Sequence, residues 1–218
     1  MNQAEAEAAA QAGYNQMAQV YTDHVALEMT VPSLGRSVLE SFVHQLQQSS
    51  EVNRARRVAD VGCGPGHVTA FLANLGVDIF GIDNSPALLD IARENHPELH
   101  FEAGQLASLP VETGSLAGLV SKHSLIHTPA ELVAPVLDEF ARVLAPGGAL
   151  YLSFFGAASP DTHGHAFDHA VTTAYQLDVG AMAELLAAAS FVEEARIVRQ
   201  PRDGERQLPH GTFIARRD

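Results

Sequence analysis

Between residues 57 and 155, short apolar runs alternate with stretches of helical period, and this alternation restricts the chain to few folds. The runs are 57–61, 77–82, 99–103, 116–120 and 149–155. Val68, Phe71, Leu72 and Leu75 form the stripe of one intervening helix. Leu88, Leu89 and Ile91 form the next, with Ser85 as N-cap and Pro86 in the first turn. Leu132, Val136, Phe140, Val143 and Leu144 mark a third. Its start reads as a capping box, Thr128-Pro129-Ala130-Glu131, with proline at the first helical position. Pro135 predicts a bend near that start, and Pro146-Gly147-Gly148 is expected to end the helix. Strands joined by helices run parallel and are covered on both faces, so an α/β fold with a central sheet is expected. Segment 156–178, rich in Gly, Asp and His, reads as a long loop with one strand. A helix around Met182, Leu185 and Leu186 follows. Runs 191–198 and 211–215 then flank the polar turn Arg202-Asp203-Gly204-Glu205 and predict an antiparallel hairpin at the sheet edge.

Ahead of the first strand, Tyr14, Met17, Ala18 and Tyr21 fall on one helix face. Leu34, Val38, Leu39, Phe42 and Leu46 mark a second helix, capped by Ser33 and ended by Ser49-Ser50-Glu51. Residues 1–50 are therefore read as a helical cap on a domain spanning 51–218, within one compact unit. With 26 acidic and 13 basic residues the net charge is −13, which argues against a nucleic-acid partner. Arg54, Arg56 and Arg57 are the only basic cluster before the tail and read as a solvated loop. One cysteine, no basic leader and no long apolar run predict a cytoplasmic protein with no membrane partner, a monomer or homodimer.

The loop Asp60-Val61-Gly62-Cys63-Gly64-Pro65-Gly66 lies directly between a strand and a helix. Glycines let the chain turn sharply and let backbone approach a ligand, at the carboxyl end of the strands where α/β sheets bind ligands. A dinucleotide fingerprint needs its third glycine at position 67, which is His67. Asp60 beside the loop would repel a pyrophosphate and attract an ammonium group. Asp83 ends the second strand, where an acid can accept from both ribose hydroxyls; its alternative is a helix-capping role.

Three segments carry a resemblance: 58–66, Gly81-Ile82-Asp83-Asn84-Ser85-Pro86 continuing to Arg93, and 140–150. Together they resemble the class I S-adenosylmethionine-dependent methyltransferases. The resemblance implies a Rossmann-like seven-stranded sheet of order 3-2-1-4-5-7-6, with strand 7 antiparallel. It implies that Asp60, Gly62, Cys63, Gly64 and Gly66 belong to the loop around the methionine part of S-adenosylmethionine. Asp83 would hold the ribose, and Asn84 and Leu88 would flank the adenine. Gly104, Gln105 and Leu106 would lie by that ring, with Gln105 where many relatives place an acid nearby. Cys63 itself looks like a small packing residue.

The same resemblance places chemistry on 121–127, with Lys122 and His123 at the cofactor and His127 at the acceptor. Methyl transfer from an activated sulfonium needs mainly alignment, with a base only where the acceptor must lose a proton. His127 is the first candidate base and His123 the second, since imidazole titrates near neutrality; the alternatives are a histidine bonded to backbone and one that packs. Their i, i+4 spacing is that of a metal pair, but no carboxylate adjoins them, so no metal is expected. Tyr14, Tyr21 and His24 would belong to a lid over the cofactor, the alternative being core packing. His163, His165 and His169 are candidate acceptor contacts on the 156–178 loop, the alternative being solvated histidines. The expected activity is transfer of a methyl group to O, N or S of a small-molecule acceptor, releasing S-adenosylhomocysteine. A non-catalytic binding module and an NAD-dependent oxidoreductase are the competing classes.

Overall fold

The computed structural model describes residues 2–48, 56–203 and 205–218. Helices α1 (Gln3–Val25) and α2 (Leu34–Gln47) precede β1 (Val58–Val61), α3 (His67–Asn74), β2 (Ile79–Asp83), α4 (Pro86–Asn95), β3 (Phe101–Ala103) and β4 (Leu116–Lys122). Two 3-10 turns, Ser124–His127 and Ala130–Leu132, lead to α5 (Val133–Val143) and β5 (Leu144–Phe155). Then come β6 (Ala166–Phe167), β7 (Ala174–Tyr175), α6 (Val179–Ala188), β8 (Phe191–Arg199) and β9 (His210–Arg217). The main sheet has the order β3-β2-β1-β4-β5-β9-β8. Its first five strands are parallel, and β9 runs antiparallel to both β5 and β8. This is the expected seven-stranded order. The last two strands are β8 and β9 because the small β6–β7 hairpin intervenes.

Side chains alternate across each strand, so every strand feeds two cores. Val58, Ile79, Val120 and Tyr151 face α2 and α3, packing with Leu39, Phe42 and Leu72. Ala59, Val61, Ile82, Leu119 and Leu150 face Val136 and Phe140 of α5 and Met182 and Leu186 of α6. Asp60 shares the parity of Val58 and so lies on the α3 side, a placement with consequences for its role.

Some local expectations change. Thr128 does not cap the third helix: it closes the 3-10 turn Ser124–His127, and α5 begins at Val133 without a side-chain cap. A residue before proline is driven out of helical geometry, and Pro129 itself is extended at ψ 144°. Pro135 consequently falls in the first turn of α5, where no N–H is required of it. Pro146-Gly147-Gly148 lies inside β5. The pairing of β4 with β5 shifts register there, between Leu116↔Leu144 and Gly118↔Ala149, and Gly147 takes φ 74°. Segment 156–178 holds two short strands rather than one. Ser49-Ser50-Glu51, Arg54 and Gly204 lie outside the described residues. Among the described residues, no helix is long and apolar enough to cross a membrane.

Candidate active site

The carboxyl ends of β1, β2 and β4 surround one cavity, which is open to solvent at its mouth. Gly62 and Gly64 form one wall in left-handed conformations, φ 74° and 54°. Gly62 N–H donates to Ile82 O at 2.7 Å, which ties the loop to β2. A Cβ at Gly62 would sit 2.3 Å from Ser124 Cβ, so only glycine lets the loop pass the turn after β4.

Asp83 ends β2 on the cavity wall, 9% exposed. Gly64 N–H donates to its Oδ2 and Ser85 N–H to its Oδ1, both at 2.8 Å. Burial raises this carboxyl above the usual range, opposed by the N–H groups of Ser85, Gly64 and Asn84. No cation is among the groups acting on it. A carboxylate offers about four acceptor sites, so about two remain for a ligand's hydroxyl groups. Asn84, Leu88, Gly104 and Leu106 continue this wall.

Helix α1 roofs the cavity with Ala6, Glu7, Ala10, Tyr14 and Tyr21. The tyrosine rings pack edge to face, 5.2 Å between centroids. Gln11 Nε2 donates to Asn84 O at 2.5 Å, Asn84 Nδ2 to Glu7 O at 3.2 Å, and Ser85 Oγ to Asn15 Oδ1 at 2.7 Å. Lys122, the only lysine of the chain, lines the floor and is ion-paired with Glu28 just beyond α1. The other Glu28 oxygen lies 3.2 Å from His67 Nε2. Burial alone would raise the Glu28 carboxyl, but the His67 hydrogen bond and the Lys122 ammonium hold it well below the usual range.

His127 lines the far end of the cavity and is 7% exposed. Its Nδ1 lies 2.8 Å from Thr173 O, which can only accept, so Nδ1 carries the proton. Nε2 is then the acceptor, 3.3 Å from the Tyr14 hydroxyl. Burial pushes the imidazole down, partly offset by the Thr173 carbonyl, so the ring is neutral at neutral pH. His123 has φ 57° and also lines the cavity, but both ring nitrogens are engaged: Nδ1 with Ser153 Oγ at 3.3 Å, Nε2 with His210 Nδ1 at 3.1 Å. Both nitrogens of His127 are engaged as well, but the partner of its Nε2 is a tyrosine of the roof.

Several expected residues are elsewhere. The Asp60 carboxylate lies behind the glycine loop, accepting from Thr69 Oγ1 of α3 at 2.6 Å, and burial raises it to about 6. Cys63 packs with Leu89, Ala92 and Phe101, and burial pushes its thiol well up. Gly66 caps α3, and Gln105 bridges to Ser108. His163 Nδ1 accepts from Asp178 N–H at 2.9 Å, His165 is exposed, and neither lines the cavity. His24 is exposed beside the roof. Sequence reasoning missed Glu7, Ala10, Gln11 and Asn15 of α1, although the Tyr14–Tyr21 stripe extended backwards by helical spacing reaches Glu7 and Ala10. It also missed Ser124; of the loop histidines it expected at the acceptor, His169 is the one whose ring lies 5.1 Å from that of His127.

Residues 58–148 match the family model described as methyltransferase domain. The trans-aconitate 2-methyltransferase of Delftia acidovorans is 37% identical over 113 residues, 50% of this chain and 42% of that protein. The chain spans 23 to 54% of the lengths of the first curated relatives it matches. Among solved structures, magnesium protoporphyrin IX methyltransferase of Synechocystis PCC 6803, with bound S-adenosylmethionine, superposes with TM-score 0.62 at 21% identity. That match covers 84% of this chain and 79% of the other. The [4+2]-cyclase SpnF superposes with TM-score 0.66 at 17% identity, covering 84% and 82%. Residues 58–148, which hold the glycine loop, are thus similar to methyltransferase domains, and the solved neighbours share the fold of the chain.

Proposed function

We propose that this chain binds S-adenosylmethionine in the cavity and methylates an oxygen, nitrogen or sulfur atom of a small molecule, releasing S-adenosylhomocysteine. The observation that carries this is Asp83: a buried carboxylate on the cavity wall, pre-oriented by two N–H groups and lacking a cation. A ribose diol donating two hydrogen bonds satisfies that carboxylate, and His67, standing where a dinucleotide loop needs its third glycine, disfavours NAD as the source of that diol. Gly62, Gly64 and Lys122 would border the methionine part, and Asn84, Leu88, Gly104 and Leu106 the adenine. The named acceptors of two similar proteins, trans-aconitate and magnesium protoporphyrin IX, are small molecules.

When bound, the cofactor supplies a methyl group already activated on a sulfonium. The chain's own work is alignment, exclusion of water and removal of a proton. His127 Nε2 would take the acceptor proton, while Thr173 O holds the ring orientation through Nδ1. The Tyr14 hydroxyl occupies Nε2 and would yield to the acceptor. Residues 1–50 would act as a cap on the domain 51–218. Helix α1 is held to the β2–α4 corner by polar bonds of Gln11, Asn15 and Glu7, and its Tyr14 and Tyr21 rings pack over the cavity. A single buried cysteine fits the cytoplasm.

The SpnF match favours a second reading, since that neighbour is named for a cyclisation on the same fold. Calorimetric titration with S-adenosylmethionine, S-adenosylhomocysteine and NAD, followed by an acceptor screen for released S-adenosylhomocysteine, tests both. Binding of the first two ligands with product release supports methyl transfer. Binding without release under any acceptor favours the second reading, and binding of NAD alone refutes both.

A further inference from the structure

Acidic residues outnumber basic ones twofold in this chain, and seven arginines hold a carboxylate: Arg36, Arg57, Arg93, Arg142, Arg196, Arg199 and Arg216. Arg206, on the β8–β9 connection, is different. Among the described residues its guanidinium has no carboxylate and lies over the Phe167 ring, 4.7 Å from the centroid. Phe167 belongs to the β6–β7 hairpin, which also presents His169. The His169 ring stands edge to face with His127, 5.1 Å between centroids, at the wall where the acceptor must lie.

Val171 N–H donates to His169 Nδ1 at 3.4 Å, which leaves the proton on Nε2. Burial and the charges of His127, Arg206 and His24 push this imidazole down to about 4, so it is a neutral N–H donor at neutral pH. Asp168 is its chain neighbour, yet no carboxylate is among the groups acting on it. Four cation-capable side chains thus converge from four elements: His24 from α1, His127 from the turn after β4, His169 from the hairpin and Arg206 from the β8–β9 connection. A guanidinium without a carboxylate, beside a neutral imidazole whose Nε2–H is free to donate, suits an anion that arrives with the ligand.

We infer that the acceptor carries a carboxylate, bound by the Arg206 guanidinium and the His169 Nε2–H, with the rest of the molecule directed past His127 into the cavity. This rests on the methyl-transfer reading for the word acceptor, but the carboxylate site stands on its own contacts. A planar guanidinium matches a carboxylate with two parallel bonds, and Phe167 holds it flat.

The test is histidine side-chain ¹H–¹⁵N spectroscopy of the full chain, with and without saturating S-adenosylhomocysteine. The probes are benzoate and succinate against benzamide and succinamide. The carboxylates should shift the His169 signal with affinities at least about tenfold above those of the matched amides. Arg206→Gln should remove that difference, Arg206→Lys should retain part of it, and Arg202→Gln, an exposed neighbour on the same connection, should retain all of it. Amides binding as well as carboxylates, or no carboxylate reaching His169 in either state, overturns the inference. If S-adenosylhomocysteine itself fails to bind, the methyl-transfer reading falls, while the titration of the unliganded chain still decides the carboxylate site.

Discussion

Replacing Asp83 by Asn separates what this residue does for the fold from what it does for binding. In the folded chain its two oxygens accept from Gly64 and Ser85 N–H, and no cation neutralises it. The amide keeps one acceptor and turns an NH₂ group toward the other donor, which costs about 1–3 kcal/mol. Removing a buried charge offsets a similar amount, so the unfolding free energy should change by about 1 kcal/mol or less. Binding behaves differently. Two charge-assisted bonds to a ribose diol are each worth about 1.5–3 kcal/mol. Losing most of that should weaken S-adenosylhomocysteine by about 100-fold or more. Calorimetry gives the binding constants and urea titration the stabilities. A variant that folds normally and binds S-adenosylhomocysteine within about threefold of the parent would refute the assignment of Asp83 to the ribose. The pH dependence checks the electrostatics. Because the folded Asp83 has a raised pKa, the folded state takes up its proton before the unfolded state does as pH falls toward about 3.9. The parent should therefore gain stability relative to Asp83→Asn over that range; the opposite sign would mean that the N–H groups outweigh burial.

Other outcomes follow from the same structure. Replacing His127 by Asn should lower turnover of a protonated acceptor by about 10²–10⁴-fold in an acceptor assay. In the parent, the acidic limb of kcat/KM should lie below the ordinary imidazole value, because burial lowers His127. Gly62→Ala combines a left-handed φ of 74° with a Cβ 2.3 Å from Ser124. It should cost about 2–4 kcal/mol, read as a fall in melting temperature of roughly 5–15 °C. His96, His123, His127, His169 and His210 all have lowered folded pKa values, so the unfolded chain binds more protons below about pH 6.5. Their stability contribution should fall as pH drops from there toward the His169 value of about 4. Asp60, raised to about 6, and Asp83 work in the opposite sense over the same range. The urea midpoint should therefore decline gently rather than collapse between pH 7 and 5.

The strand–helix alternation and the glycine loop were legible from sequence because each is local chemistry, and period-2 and period-3.6 apolar patterns assign the elements. The order of the sheet followed from the family resemblance, since the pattern alone does not rank the strands. Asp83 was equally legible, since a strand-terminal acid two residues before the Ser85-Pro86 cap has one place to stand. Boundaries were less so: Thr128 and Glu131 carry the chemistry of a capping box, yet Pro129 is extended and the helix starts later, at Val133.

What only the tertiary structure decided is which side chains meet. Asp60 reads as a ligand contact beside the glycines, but strand parity turns it to Thr69 on the α3 side. His163, His165 and His169 are indistinguishable as letters in one histidine-rich segment. The β6–β7 hairpin carries His169 to His127, uses His163 to accept from Asp178 N–H and leaves His165 exposed. Arg206 meets Phe167 across 39 positions of sequence, and Tyr14 meets His127 across 113. Local patterns carry the energy of forming a strand or a helix. They carry no record of contacts made only after loops close, so the glycine-loop and Asp83 wall of the cavity is written in sequence and the His127 end is assembled by the fold.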